Sequence, residues 1–164
     1  MKGFTAFGAR APRGDIAEVL RRLQGFARAH AGDAQLLDAS AVLGSDHLLS
    51  AYEHAARARE RGTAVASSLA VEFLRYAAGE RRIDRAIARV GAKPGRPVVV
   101  VLFGRVPPNL AAKECGLLRD DRVLASRGRS LRGFGITLLE ERALPRGTAR
   151  DLVLERVALA DLGK

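Results

Sequence analysis

Tryptophan is absent, cysteine and methionine occur once each, and aromatic residues make up only 5% of the 164-residue chain. A single cysteine, Cys115, excludes a disulfide scaffold. Long apolar runs are also missing. The longest, Pro97 to Phe103, is far short of the roughly 20 residues a helix needs to span a bilayer. The opening residues, MKGFTAFGAR, carry no apolar stretch followed by a small-residue cleavage site, so no secretory signal is expected and a reducing, cytoplasmic compartment is. Lysine is scarce, with only Lys2, Lys93, Lys113 and Lys164 among 28 basic residues. An arginine bias of that kind follows from genomic base composition as readily as from function.

What is present fits one globular domain over residues 1–164. Hydrophobic residues make up 48% and charged residues 28%, enough apolar surface to exclude general disorder. The formal charge is +10 and the isoelectric point about 11.1. From Arg81 to Arg132 there are 13 basic and 4 acidic residues, 13 − 4 = +9 of that total. A patch of this sign attracts phosphate backbones. The same pattern also suits a solvated surface in an arginine-rich proteome.

Periodicity gives the elements. The first ten residues, with Phe4 and Phe7, read as an edge strand. Asp15 with Glu18 three residues on is a capping signal, and Ile16, Val19, Leu20, Leu23 and Phe26 recur at helical spacing up to about Ala31. Ala34 to Ala39 is a short strand. A second helix opens at Ser45 or Asp46 and stops at Gly62, a third runs from Ser67 to Ala78 before Gly79, and a fourth short one carries Ile83, Ala86, Ile87 and Val90. Pro97 to Phe103 is β-branched and unalternating, the pattern of a strand buried on both faces at the centre of a sheet. Pro107-Pro108-Asn109 caps a short helix from Leu110 to Cys115. Asp120 to Ser126 is a short helix or turn, Gly128 to Gly135 a loop, and Ile136 to Glu141 stays ambiguous. A last helix spans Thr148 to Leu162. The fold class expected is α/β in the α+β sense, a small central sheet surrounded by several helices.

The catalytic inventory is poor. His47 and His54 lie seven residues apart on one helix, whereas a metal site needs closer spacing and a third ligand, so no metal and no cofactor are expected. His47 reads as a packed or capping histidine and Cys115 as a structural thiol. Gly133-Phe134-Gly135 lacks the third glycine of a dinucleotide fingerprint, and Ser67-Ser68 is explained by helix capping. No constellation supports an enzyme, and no catalytic residue is assigned.

Two features remain. Arg57, Arg61, Arg75, Arg81, Arg82 and Arg85 sit on consecutive helices joined by turns at Gly62 and Gly79, which allows them to converge as an RNA-binding face; solvated helix faces are the plainer alternative. The last helix is apolar on every side. Leu152, Val153 and Val157 are expected inward, and Leu154, Ala158, Leu159 and Leu162 outward, to be covered either by a partner or by more of the same chain.

The middle of the chain resembles a known family. Leu37-Asp38-Ala39, Val42, His47-Leu48, Ala51, Ala55, Arg57-Ala58 and Gly62 stand at its spacing, and the densest piece is Ser68 to Ile83, SLAVEFLRYAAGERRI. The match is close over roughly residues 35–103, with a looser echo in Glu155-Arg156-Val157-Ala158-Leu159. These residues resemble the small kinase-binding subunit of the KEOPS complex, the TPRKB-like family. Arg82 departs from the glutamine expected there and adds charge. The resemblance implies an α/β fold with a central sheet and no active site of its own. It also implies binding to the small atypical kinase of a complex that makes threonylcarbamoyladenosine beside the tRNA anticodon, with tRNA held in part by archaeal members. The arginine bias and short chain suit the archaeal type. The expectation is a non-catalytic accessory subunit binding kinase and tRNA, with no membrane and no small-molecule substrate. A stand-alone RNA- or DNA-binding module is the runner-up, and an enzyme completed at an oligomer interface the third reading.

Overall fold

The structure is a computed structural model that describes residues 3–125, 131–145, 148–160 and 162. It is α+β: a three-stranded antiparallel sheet with seven α-helices among the described residues. Contacts divide the chain into two compact units, one of residues 1–39 and 91–125, the other of residues 40–90 and 126–164.

The first unit holds the sheet. Strand β1 (Phe4–Ala9), helix α1 (Ile16–Ala29), strand β2 (Asp33–Asp38), strand β3 (Val98–Phe103) and helix α5 (Pro108–Glu114) make it up, with α2 to α4 belonging to the other unit. The strand order is β1-β3-β2, with β3 antiparallel to both neighbours and Val100 opposite both Phe7 and Leu36. Every residue of β3 is buried, which is why its sequence does not alternate. Val98, Val100 and Leu102 join Phe7, Leu36, Val19, Leu23, Ala111 and Cys115 in one core, so α1 and α5 cover that face of the sheet. Asp15 caps α1 by accepting from the Glu18 amide at 3.0 Å, as its spacing predicts.

Both sheet edges are closed. The Asp121 carboxylate accepts from the Gly8 amide at 3.1 Å, the Asp120 amide donates to the Gly8 carbonyl at 2.8 Å, and the Arg10 amide donates to the Leu118 carbonyl at 2.9 Å. A Cβ on Gly8 would collide with Val123 and with the Asp120 carbonyl, so only glycine lets this segment, a 3-10 turn over Asp121–Leu124, lie against β1. On the other edge the Ala92 amide donates to the Leu36 carbonyl at 3.3 Å and Gly91 bridges Leu37. The sheet therefore offers no free strand edge for pairing at these positions.

The second unit is helical: α2 (Ser45–Glu60), α3 (Leu69–Ala78), α4 (Ile83–Val90), α6 (Leu138–Ala143) and α7 (Ala149–Leu159). Here α3 is the helix buried nearly all round, from Glu72 to Ala78 without a break, and it packs on α2, α4 and α7. The apolar last helix, α7, turns out two-sided. Val153 and Val157 are buried, Leu154 and Ala158 half-buried, and Leu159 and the following Leu162 exposed.

Several boundaries shift for physical reasons. The cap of α2 is Gly44 (φ 99°) rather than Ser45 or Asp46, because the turn before it is held by the His47 ring instead of a hydroxyl or carboxylate. Pro108 opens α5 at its first turn, where a missing amide hydrogen costs nothing. The ambiguous Ile136 to Glu141 stretch becomes α6 through a capping box between Thr137 and Glu140. Of the expected Gly128–Gly135 loop, Leu131–Phe134 forms a 3-10 turn and the part before residue 131 lies outside the described residues.

Candidate functional site

Helix α3 organises the site. Ser68 caps it by accepting from the Val71 amide at 3.2 Å. Within an otherwise apolar helix, Glu72 and Arg75 form a buried pair, Nη1 to Oε1 at 2.6 Å, with 1% and 4% of their residue surfaces exposed. The second oxygen of Glu72 accepts from the Ala66 amide (2.8 Å) and the Val65 amide (3.2 Å), and Arg75 Nε donates to the Arg81 carbonyl at 2.7 Å. One buried ion pair thus ties the chain before α3 to the chain after it. This corrects the expected position of Arg75: it does not face solvent with the other arginines, because burial satisfies its guanidinium on Glu72 and Arg81 and sets it over the Tyr76 ring.

Gly79 ends α3 in the left-handed conformation (φ 62°, ψ 33°), and its amide caps the last turn. A side chain there would stand 3.2–3.4 Å from the backbone and Cβ of Arg156, so the glycine also lets α7 come close. Beyond it Arg81, Arg82 and Arg85 are exposed, and with Glu80, Arg156, Leu159 and Ala160 they line an open cleft of about 340 Å³. Arg89 neutralises Glu80 at 2.8 Å and also donates to the Ala78 carbonyl at 3.0 Å. Arg82 grips Asp84 through two hydrogen bonds of 3.0 and 2.9 Å, which lowers the Asp84 carboxyl below its ordinary range. The guanidiniums of Arg81, Arg85 and Arg156 make no hydrogen bond or ion pair within 4.0 Å among the described residues, although the Arg81 carbonyl accepts from Arg75. The structure therefore gathers Arg81, Arg82 and Arg85 in one place. Arg57 and Arg61 are exposed at the end of α2 and do not line the cleft.

Sequence reasoning missed Arg156. The apolar pattern of its helix hides it, yet Arg156, Leu159 and Ala160 are spaced to share one helix face, and that spacing is the available signal. The Glu72–Arg75 pair had a signal too, an i, i+3 pair of opposite charges in an apolar helix.

The histidines are structural. His47 is buried, its Nδ1 accepts from the Leu43 amide at 3.2 Å, and its Nε2 therefore carries the proton and donates to the Ala77 carbonyl at 2.8 Å. Phe134 meets the ring edge-on. His54 stacks on Tyr76, and His30 Nδ1 donates to the Phe26 carbonyl at 2.9 Å. Burial pushes the Cys115 thiol up, away from the reactive thiolate. Among the described residues no group of three or more His, Cys, Asp or Glu is arranged to hold a metal ion, and no helix is long and apolar enough to cross a membrane. Arg150 anchors the start of α7, donating to the Leu43 carbonyl at 3.2 Å and lying 3.8 Å from Asp46.

An α+β fold with an arginine-lined cleft, beside an exposed leucine on the last helix, has the surface features of a binding protein. The family model for the kinase binding protein CGI-121 matches residues 15–123, more than half of the chain, and the chain belongs to that family. The match spans α1 to the 3-10 turn at Asp121–Leu124 and ends before α6 and α7. No curated protein matches the chain.

Proposed function

We propose that this protein is a non-catalytic accessory subunit of KEOPS, of the archaeal type and cytoplasmic, that binds the small atypical kinase of the complex and helps recruit tRNA for threonylcarbamoyladenosine modification next to the anticodon. Membership of a kinase-binding family carries the kinase part of this reading. The kinase surface is assigned to the outward side of α7 and its extension, Leu154, Ala158, Leu159 and Leu162, where Leu159 is 45% and Leu162 77% exposed. Burying two such leucines at about 1.5–3 kcal/mol each supports association once ordering costs are met.

The tRNA part rests on the cleft. Arg81, Arg82 and Arg85 converge there, Arg57 and Arg61 add positive potential from the end of α2, and the chain carries +10 overall. Phosphate neutralisation by such a set makes binding weaken with salt, at a log–log slope of about −0.7 per phosphate for single strands. The test is tRNA binding by the Arg81→Glu plus Arg85→Glu double variant. Loss of binding with an unchanged circular-dichroism melt is the expected result; full binding, or affinity indifferent to salt, contradicts the reading. A stand-alone RNA- or DNA-binding module is the second reading, favoured by the +10 charge and the arginines at the cleft. Co-purification from the source cell separates the two, since only the first brings down a kinase.

A further inference from the structure

Helix α3 carries both of its charged residues where charge costs most. Apolar side chains of similar volume in place of a buried ion pair are often neutral or stabilising, so stability alone does not account for Glu72 and Arg75. What an apolar pair would not supply is their reach to the main chain. One end of the pair accepts from the Val65 and Ala66 amides, at 3.2 and 2.8 Å. The other end donates to the Arg81 carbonyl at 2.7 Å. Between the two lies the ten-residue helix, about 15 Å of rise. The link is covered and its ends are not: Glu72 and Arg75 are buried, whereas Val65 is 62% exposed and Arg81 lies on the surface. The segment before α3 is otherwise tied only to α2, by the Thr63 and Ala64 amides on the Ala58 carbonyl and by Arg59 Nη1 on the Ser67 carbonyl at 2.9 Å. Glu72 is therefore what joins it to α3 beyond the Ser68 cap.

We propose that the Glu72–Arg75 pair is an internal coupler, through which the Val65–Ala66 segment and the α3–α4 turn open and close together, so that a contact made on the exposed Val65 resets the backbone that carries Arg81. The physical reason is the scarcity of partners inside the helix layer. When the segment lifts, the Glu72 carboxylate loses two amides in a place that water does not reach. It then draws the Arg75 guanidinium into a fuller, two-pronged pairing, because a charged acceptor takes a charged donor before a neutral carbonyl does. The Arg81 carbonyl is released in the same step. Opening of the turn runs the sequence backwards, and the coupling is reciprocal. The inference goes beyond the kinase and tRNA readings and requires neither.

The experiment perturbs one end and reads the other by amide hydrogen exchange of the full chain, followed by NMR. Val65→Gly loosens the segment and Arg82→Gly loosens the turn, both at exposed positions. The Ala66 amide, bonded to Glu72, reports the first end, and the Glu80 amide, bonded to the Arg75 carbonyl at 3.0 Å, reports the second. The buried β3 amides report global unfolding and serve as the reference. Val65→Gly is expected to speed exchange at Glu80, and Arg82→Gly at Ala66, each about two- to fivefold over the reference, the weight of one glycine's added freedom. Glu72→Gln cannot serve both ends at once, and Arg75→Lys keeps the pairing with Glu72 but has no second nitrogen for the Arg81 carbonyl. In either background both cross effects should vanish while the local effects remain. Acceleration confined to the substituted end, or matched by the β3 amides, overturns the coupler. Cross effects that keep their size in Glu72→Gln or in Arg75→Lys overturn it too, because the two ends then communicate by another route. Where one of these two variants does not fold, the other decides, and the glycine variants alone decide where neither does.

Discussion

Replacing Arg75 with methionine tests whether the buried pair on α3 is what holds the site together. The substitution keeps roughly the volume and removes the guanidinium. Glu72, 1% exposed, then loses its 2.6 Å partner and keeps the Ala66 and Val65 amides, while the Arg81 carbonyl loses its 2.7 Å donor. Removing one partner of a buried ion pair costs about 3–5 kcal/mol, because the remaining charge stays in low dielectric. Glu72→Met plus Arg75→Met removes the stranded charge but orphans the buried Ala66 amide, worth about 1–3 kcal/mol. The double variant should therefore be more stable than either single one, a non-additivity that surface pairs do not produce. Urea unfolding reads this directly: at a slope of about 1–3 kcal/mol per molar, Arg75→Met lowers the midpoint by about 1 M or more with the slope unchanged. A shift below about 1 kcal/mol in Arg75→Met, or strictly additive losses, refutes the claim that the pair is buried and coupled.

Three further outcomes are expected. Gly79→Ala forces a side chain into the left-handed region against the Arg156 backbone, so thermal unfolding should show a loss of about 1 kcal/mol or more, with weaker RNA binding; an unchanged melt contradicts the close approach. Asp120, held at about 2 mainly by the Arg122 side chain, has a folded pKa below its ordinary value; its contribution is present above about pH 4 and is lost as pH falls toward 2. The urea midpoint of Asp120→Asn should accordingly fall less steeply than wild type between those values, and parallel curves would refute it. Arg61→Gln, on an exposed position outside the cleft, should reduce tRNA affinity less than Arg85→Gln in a fluorescence-anisotropy titration of labelled tRNA; the reverse order contradicts the central place of the cleft.

The elements were legible where local chemistry decides. The apolar run of β3 announced a central strand, Asp15 and Ser68 announced caps, and Gly79 announced a helix end, each through an interaction within a few residues. With β3 at the centre and β1 at an edge, the order β1-β3-β2 followed as well, whereas nothing local marks Gly8 and Asp121, 113 positions apart, as neighbours. Of the candidate arginines, Arg57, Arg61, Arg81, Arg82 and Arg85 are exposed and Arg75 is buried. Arg75 differs from Arg81 and Arg85 only in facing Glu72 across one helical turn inside a covered helix, and composition does not tell which helix is covered. The prediction of an all-round apolar helix fell on α7, whereas α3, carrying both a glutamate and an arginine, is the one buried on every side. The place of Arg156 in the cleft arises from the approach of α7 to Gly79, a contact between residues 77 positions apart that no local pattern announces.

The central claim is that the exposed side of α7 docks the kinase, and the measurement that tests it most directly is a binding titration of the purified kinase against wild type and Leu159→Arg, with a circular-dichroism melt of each. Leu159 is 45% exposed, so the variant should melt with wild type while its kinase affinity falls at least tenfold, about the worth of one buried leucine side chain with a charge set against it. Kinase affinity equal to wild type in the folded variant would contradict the account and move the docking surface to other helices.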